Sequence, residues 1–485
     1  MPNSPLNLKA RAHQAMVEAG FHPDFPREVL QEAESLQQAA AASAPSGRDL
    51  RELLWSSVDN DTSRDLDQVE YVEALPDGAV RLLIGIADVE WAAAQGSLLD
   101  RRAAAEATSV YTGVAIFPML PAELSTGLTS LLDAQDRSSM IIELRVQDSG
   151  EVIAQDVYPG LVRNRAKLAY SSTGAWLEGR GPLPPAAAAV PGMEAQLRLQ
   201  KATSEKLRAL RKQHGALTFG SIEATPVLAG DEVKGLEVRR HNAAEDIIES
   251  FMVAANVGMA RYLREKGCLS LRRVVKTPRR WDRIQAIAAQ FGSNLPATPD
   301  PRALCQFLEQ RQAADPEHFP DLSISIVKLL GPGEYIVETP GAEHEGHFGL
   351  AVNDYTHSTA PNRRYADLVT QRLLKASAGG RPGPYSESEL SGIAVHCTER
   401  EDAARKVERL MHKVVAASLL SGRIGEVFDG IITGASPKGT YVRLLTFPAE
   451  GRVVQGAQGL DVGDKVRVRL SGVNVAHGFI DLARS

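Results

Sequence analysis

The alternation of apolar and polar positions divides the chain into three stretches. In residues 1–46, Leu8, Ala12, Met16 and Ala19 recur at helical spacing, and Pro26 stands where a second helix would begin. The run from Ala39 to Gly47 is four alanines followed by Ser-Ala-Pro-Ser-Gly, which reads as a linker. Two readings stay open for this segment: a small helical cap on the main body, or a helix-turn-helix-like module touching nucleic acid. Residues 50–420 mix both periodicities. Val80–Ile86 is an apolar, β-branched run suited to a buried strand. Met140–Arg145 and Glu151–Val157 form an expected strand pair around Asp148-Ser-Gly150. Gly181–Gly192, with four prolines and four alanines, is an expected loop. Met193–Gln213, Ala244–Lys266, Asn362–Ala376 and Glu399–Leu420 carry helical patterns, with Ile248, Met252, Ala255 and Met259 on one face. No regular strand–helix–strand rhythm appears, which predicts α+β rather than a doubly wound sheet. In residues 423–485 the period shortens to two. Gly425–Thr433, Gly439–Leu445 and Asp464–Leu470 are short alternating strands between Gly and Pro turns, as in a small closed barrel of the OB type. The predicted domains are residues 1–48, a helical segment; 49–421, an α+β body; and 422–485, an all-β OB-fold barrel.

Composition narrows the class. The 485 residues are 44% hydrophobic and 24% charged, near globular averages, which excludes a disordered chain. No stretch approaches about 18 uninterrupted apolar residues, so no membrane span is expected. Residues 1–30 lack the apolar region of a secretory signal. Cys268, Cys305 and Cys397 are odd in number, with no C-x-x-C, which fits a reducing, cytoplasmic setting without a disulfide framework. The net charge of −6 gives no hint of nucleic acid. Its distribution says more. Residues 261–283 hold nine Lys/Arg against two acids, residues 201–212 hold five against one, and the C-terminal stretch holds eight against six. For the first two patches a solvated face or loop is the competing reading.

Acid is concentrated at residues 59–77, in Asp59, Asp61, Asp65, Asp67, Glu70, Glu73 and Asp77, with Arg64 the one base. A solvated acidic loop is one reading. The other follows from spacing. Asp65 and Asp67 flank Leu66, so in an extended strand both point to one side, and Asp59 can join them from a preceding turn. Such a carboxylate group suits Mg²⁺, a hard ion that keeps open positions for water and phosphate. The Gly and Glu positions of an EF-hand loop are missing. A second segment, His347–Leu368, places Pro361 at an expected helix start with Arg363 and Arg364 in the first turn. Arginines at a helix N-terminus offer a phosphate site, although they oppose the helix dipole. Pairing with Asp354 or Asp367 is the competing reading. Metal carboxylates, phosphate-binding arginines and a barrel together point to phosphodiester chemistry on nucleic acid.

The same blocks resemble the ribonuclease II/RNase R exoribonuclease family. Asp59-x5-Asp65-x-Asp67 is similar to its metal signature. Ile86-Ala-Asp-Val89, Thr108-Ser-Val-Tyr111, Pro118-Met-Leu-Pro121, Leu124-Ser125, Ser130-Leu131, Asp136-Arg137, Glu249-x6-Asn256 and Thr356–Tyr365 follow in family order. The resemblance implies an RNB-type catalytic domain followed by an OB-type RNA-binding module. It implies a processive 3′→5′ exoribonuclease that hydrolyses single-stranded RNA to nucleoside 5′-monophosphates. It further implies Mg²⁺ held by Asp59, Asp65 and Asp67 for two-metal catalysis, with Asp67 and Arg363 catalytic. Tyr111 and Phe219 would clamp the terminal bases, Glu249 would lie near the terminal ribose, and Glu408 is a looser match; core packing and surface ion pairs are the competing readings. The expected partner is the 3′ end of single-stranded RNA, with no membrane and no obligate protein partner.

Three departures stand out. Gln68 occupies the place of a further Asp, with Asp61 or Glu70 as compensating carboxylates. Ala360 replaces a Ser that could cap the helix, with Thr359 as substitute. About 46 largely helical residues stand where the family usually has two cold-shock-type domains. This creates the expectation of a wider channel entry and altered handling of structured RNA. The alternatives are a catalytically impaired RNA-binding protein of the same fold, motivated by Gln68, and a helix-turn-helix DNA-binding regulator, motivated by residues 1–46.

Overall fold

A computed structural model describes residues 6–40, 47–220, 223–229, 232–239, 241–342, 345–436 and 439–485. Its centre is a seven-stranded sheet ordered β1-β8-β7-β4-β3-β2-β9. The strands are β1 (Arg48–Asp49), β2 (Ser56–Asp59), β3 (Gln68–Ala74), β4 (Val80–Ala87), β7 (Asp136–Val146), β8 (Val152–Arg163) and β9 (Ala166–Ala169). The short pair β5 (Val110–Tyr111) and β6 (Ile116–Phe117) lies outside it. β4 lies between β3 and β7, and its Leu82, Leu83, Ile84 and Ile86 are all fully buried. Both faces of this strand are covered, which is why its sequence reads as a continuous apolar run. Helix α6 (Met193–His214) packs on β3, and α7 (Ala243–Glu265) packs on β7 and β8. Gly258 permits that second approach: a Cβ there would meet the Leu144 side chain at 3.0 Å.

Four smaller helices frame the sheet: α3 (Leu98–Glu106), α4 (Tyr170–Leu177), the one-turn α5 (Pro185–Ala188) and α11 (Tyr365–Ala378). The α5 turn corrects the loop expected over 181–192: Pro185 starts a turn where the four alanines follow. Strands β10 (Glu223–Ala229) and β11 (Glu232–Arg239) form a hairpin, and β12 (Ser270–Val274) pairs with β13 (Glu334–Glu338). Between the latter two, α8 (Trp281–Gln290), α9 (Pro301–Ala314) and α10 (Phe319–Leu330) gather a separate core around Trp281, Ile284, Leu304, Phe307 and Phe319.

Helix α12 runs from Glu387 to Leu420, twelve residues longer at its start than the Glu399–Leu420 expectation. The start signal is a capping box in which Ser386 and Glu389 satisfy each other's backbone N–H groups. After it, β14 (Val427–Ser436), β15 (Gly439–Leu444), β16 (Glu450–Gln455), β17 (Lys465–Asn474) and β18 (Phe479–Arg484) close into a barrel. Phe428, Ile432, Val442, Val468 and Leu482 fill it. Arg443 on β15 reaches Asp321 on α10 through two bonds of 2.7 and 2.6 Å, clasping the barrel to the helical insert.

At the N-terminal side, α1 (Leu8–Glu18) buries Leu8, Ala12, Ala15 and Met16 in one cluster with Val407, Met411 and Val414 of α12. Helix α2 (Arg27–Ala40) packs on α3. Its outward positions Arg27, Glu28, Gln31, Glu34 and Gln38 carry one cation against two carboxylates, an unsuitable face for a DNA backbone. The linker residues 41–46 lie outside the described residues. Both basic patches are largely neutralised. Arg261, Arg264 and Arg272 surround Asp354, Arg272 also pairs with Glu338, and Arg273 pairs with Glu401. Lys206, Arg208 and Lys212 pair with Asp148, Asp246 and Glu309. Among the described residues, no helix is long and apolar enough to cross a membrane.

Candidate active site

The acidic segment meets the arginine segment at one end of the sheet. Asp65 and Asp67 lie in the extended approach to β3, which itself begins at Gln68, so they precede the strand expected to carry them. The approach is anchored by its backbone. Leu66 N–H donates to Ser130 Oγ, Leu131 N–H to the Leu66 carbonyl, and Ala87 N–H to the Asp67 carbonyl. The buried Leu66 between the aspartates fixes which way they turn.

Asn362 and Arg363 come from the other segment. Asn362 donates its side-chain N–H to Asp67 Oδ1 at 2.9 Å, and Arg363 Nε lies 3.2 Å from Asp67 Oδ2. Burial pushes the Asp67 carboxyl up to about 6, against the lowering pull of Arg363. Arg363 is therefore bound to the metal-signature aspartate, not to Asp354 or Asp367. Arg364 is the one paired with Asp367, at 2.8 Å. Helix α11 starts at Tyr365, so both arginines precede it rather than occupy its first turn, and neither Ala360 nor Thr359 caps it. The Asp367 carboxylate instead accepts the Ala360 N–H at 2.8 Å. Farther back, Asn256 of α7 accepts both the N–H and the hydroxyl of Ser358, tying this segment to the body.

Tyr111 is stitched to the same place. Ser109 N–H donates to the Arg363 carbonyl and Tyr365 N–H to the Ala107 carbonyl. The Tyr111 phenol donates to Asp65 Oδ2 at 3.3 Å, and its backbone N–H donates to Glu408 Oε1 at 3.0 Å. Asp59, at the end of β2, accepts the Asn60 N–H and the Ser63 hydroxyl on one oxygen, and burial raises its pKa. Asp59, Asp65, Asp67, Tyr111, Arg363 and Glu408 are thus joined by contacts or shared charge.

The other expected residues lie elsewhere. Phe219 is half-buried against the α8–α10 core. Glu249 is exposed on α7, where its carboxylate, Asp246 and His241 present ligand atoms within 4.8 Å of one another. Of the compensating carboxylates, Asp61 stands apart and Glu70 lies close enough to Asp59 to feel its charge. Asp61 is exposed and accepts the Ser171 hydroxyl. Glu70 and Gln68 share the face of β3 opposite Asp67 by strand alternation. Glu70 is fully buried, neither carboxyl oxygen has a hydrogen-bond partner among the described residues, and burial holds its pKa well above the usual range. Asn362 is the site residue that sequence reasoning missed. It sits inside the quoted block, but an amide carries no charge signal and its role appears only once 295 positions of chain are folded together.

The donor set of Asp59, Asp65 and Asp67 is carboxylate oxygen throughout, as a hard divalent cation requires. The hydrogen bonds described occupy one oxygen of Asp59, one of Asp65 and both of Asp67. This leaves one oxygen each on Asp59 and Asp65 without a hydrogen bond among the described residues, while an ion would share Asp67 with Asn362 and Arg363. The residues present therefore fit such an ion.

Comparison with known proteins gives the same outline. Residues 47–379 match the RNB domain model, and residues 426–485 match the RNase II-type exonuclease C-terminal S1 domain. Ribonuclease R of Escherichia coli is 30% identical over 95% of this chain, and that of Thermotoga maritima 29% over 87%. The chain spans 60% of the length of each of these relatives. The apo form of Mycoplasma genitalium RNase R superposes with a TM-score of 0.88 over 99% of this chain and 78% of that one, at 23% identity. Yeast Ssd1, a pseudonuclease, superposes at 0.71 over 96% of this chain and 57% of that one, at 16% identity.

Proposed function

Because the chain belongs to the RNB-domain family, we propose that it is a Mg²⁺-dependent exoribonuclease that shortens single-stranded RNA from its 3′ end, processively, to nucleoside 5′-monophosphates. The observation that carries this reading is the meeting of Asp67 with Asn362 and Arg363 beside Asp59, Asp65 and Tyr111. Asp59, Asp65 and Asp67 would hold the metal. Bound there, the metal supplies a water nucleophile at neutral pH and charge neutralisation at the scissile phosphate. Asn362 holds the Asp67 carboxylate in place. The half-exposed Arg363 guanidinium faces the same point and offsets charge that grows on the phosphate oxygens in the transition state. Tyr111 offers its ring to the terminal base, and one such stack is worth about 1–3 kcal/mol without regard to sequence. Glu408 stands at the backbone end of Tyr111, and Glu249 and Phe219 would serve as ribose and base contacts, as the family resemblance implies. The barrel adds a surface for upstream RNA.

A time course on 5′-labelled RNA tests the reading. The expected result is progressive shortening from the 3′ end with Mg²⁺ and none with a chelator. Tyr111→Ala should lengthen the final undegraded product; an unchanged end product contradicts the stacking role.

One observation favours a second reading, an RNA-binding protein impaired in catalysis. Gln68 stands where the family signature has a further carboxylate, Asp61 is exposed and bonded to Ser171, and Glu70, though near the charge of Asp59, is fully buried. RNA binding without release of 5′-monophosphate would establish it.

A further inference from the structure

Adjoining Tyr111 lies a cavity of about 490 Å³ lined by Tyr111, Arg405, Glu408, Arg409 and His412. Four of its five lining residues come from α12, spaced so that they share one face of the helix. One tyrosine separates it from the site: the Tyr111 phenol touches Asp65 and its backbone N–H touches Glu408. Three basic side chains therefore surround a single carboxylate, one of whose oxygens is already spent on that N–H. Arg405 is drawn back by Glu401 and Asp402 along the helix. Arg409 is exposed and has no ion pair among the described residues, in contrast to most arginines of the basic patches.

We propose that this cavity receives the 3′-terminal phosphate of RNA ending in a phosphate monoester, so that Arg409 and His412 read the chemistry of the RNA end. The proposal rests on the exoribonuclease reading above. A terminal nucleotide stacked on Tyr111, with its scissile phosphate at Asp67 and Arg363, presents its far ribose edge towards Glu408. A 3′-hydroxyl there can donate to the remaining Glu408 oxygen. A 3′-phosphate brings negative charge that Glu408 alone would repel and that Arg409 and His412 attract. Hydrolysis of such an end balances simply. Water adds to the last phosphodiester phosphorus, the bond to the penultimate 3′-oxygen breaks, and the products are a nucleoside 3′,5′-bisphosphate and an RNA with a 3′-hydroxyl.

The test uses the full chain with chelator present and fluorescence anisotropy of 5′-fluorescein oligonucleotides ending in a 3′-hydroxyl or a 3′-phosphate. The 3′-phosphate end should bind about fivefold tighter, the worth of one exposed charge pair. Arg409→Gln combined with His412→Gln should erase that preference, and Arg409→Lys should keep most of it. Free adenosine 3′,5′-bisphosphate should compete with the 3′-phosphate oligonucleotide better than adenosine 5′-monophosphate does, which separates a terminal phosphate from a phosphate bound anywhere. Equal binding of the two ends, or a preference that survives the double variant, overturns the proposal. Failure of both oligonucleotides to bind would instead overturn the exoribonuclease reading on which it stands.

Discussion

Two groups of carboxylates on this chain differ in what already satisfies them. His241, Asp246 and Glu249 at the start of α7 bring their ligand atoms within 4.8 Å of one another, a closeness not found for Asp59, Asp65 and Asp67. By proximity alone the α7 group is the better metal site. By chemistry it is not. His241 bonds Asp246 at 2.8 Å, Arg208 also holds Asp246, and His241 and Glu249 are exposed, so the cluster is explained by its own ion pairs. The aspartates near β3 repel one another in partial burial, and burial raises both Asp59 and Asp67. A cation relieves that cost there and relieves little at α7. Unmet charge in a buried place is the better guide to function than short distances between ligands.

The comparison is broken or sharpened by variants. The largest expected effect is that of Asp67→Asn, which should lower cleavage by roughly 10³-fold while RNA still binds. Mononucleotide release and filter binding measured on the same sample check it, and substantial residual turnover contradicts the role of Asp67. Asn362→Ala removes the donor that orients Asp67 and should weaken Mn²⁺ binding roughly tenfold by calorimetry. Glu70 supplies a separate test, since it is a buried carboxyl with no hydrogen-bond partner among the described residues, near the charge of Asp59. Its folded pKa is raised above the ordinary 4.5. Between those values the folded state keeps a proton that the unfolded chain releases, so its contribution to stability falls as pH rises through that window. Glu70→Gln should therefore stabilise the protein by about 1–3 kcal/mol at pH 8, with the gain shrinking to nothing near pH 4. Denaturant titration at the two pH values checks it; an equal change at both contradicts the assignment. The smallest effect belongs to α7. His241→Ala with Glu249→Gln should leave Mn²⁺ affinity unchanged by calorimetry, and a drop matching that of Asn362→Ala would make the α7 group the metal site after all.

How much of this could be read from the sequence depended on the kind of signal. The buried strand at Val80–Ile86, the helix beginning near Ala244 and the barrel were legible because their periods are set by burial on known faces. The early start of α12 was legible from its capping residues Ser386 and Glu389 and from the apolar stripe of Leu390, Ile393, Ala394 and Cys397, and the expectation set at Glu399 passed over both. The aspartates and Arg363 were legible as residue types in order. Their pairing was not: the competing expectation joined Arg363 to Asp354 or Asp367, and only the folded chain shows Arg364 taking Asp367 and leaving Arg363 to Asp67. The basic patches misled for the same reason. Their counter-charges, such as Asp354 and Glu401, lie far away in sequence and arrive only on folding.

The central claim is that the Asp67–Asn362–Arg363 junction is the heart of a metal-dependent exoribonuclease. The most direct measurement is release of adenosine 5′-monophosphate from single-stranded poly(A) with Mg²⁺, by the unaltered chain and by Asp67→Asn at matched RNA occupancy. The account predicts steady release by the first and near-complete loss in the second. No release by the unaltered chain, with RNA bound equally by both, would contradict it.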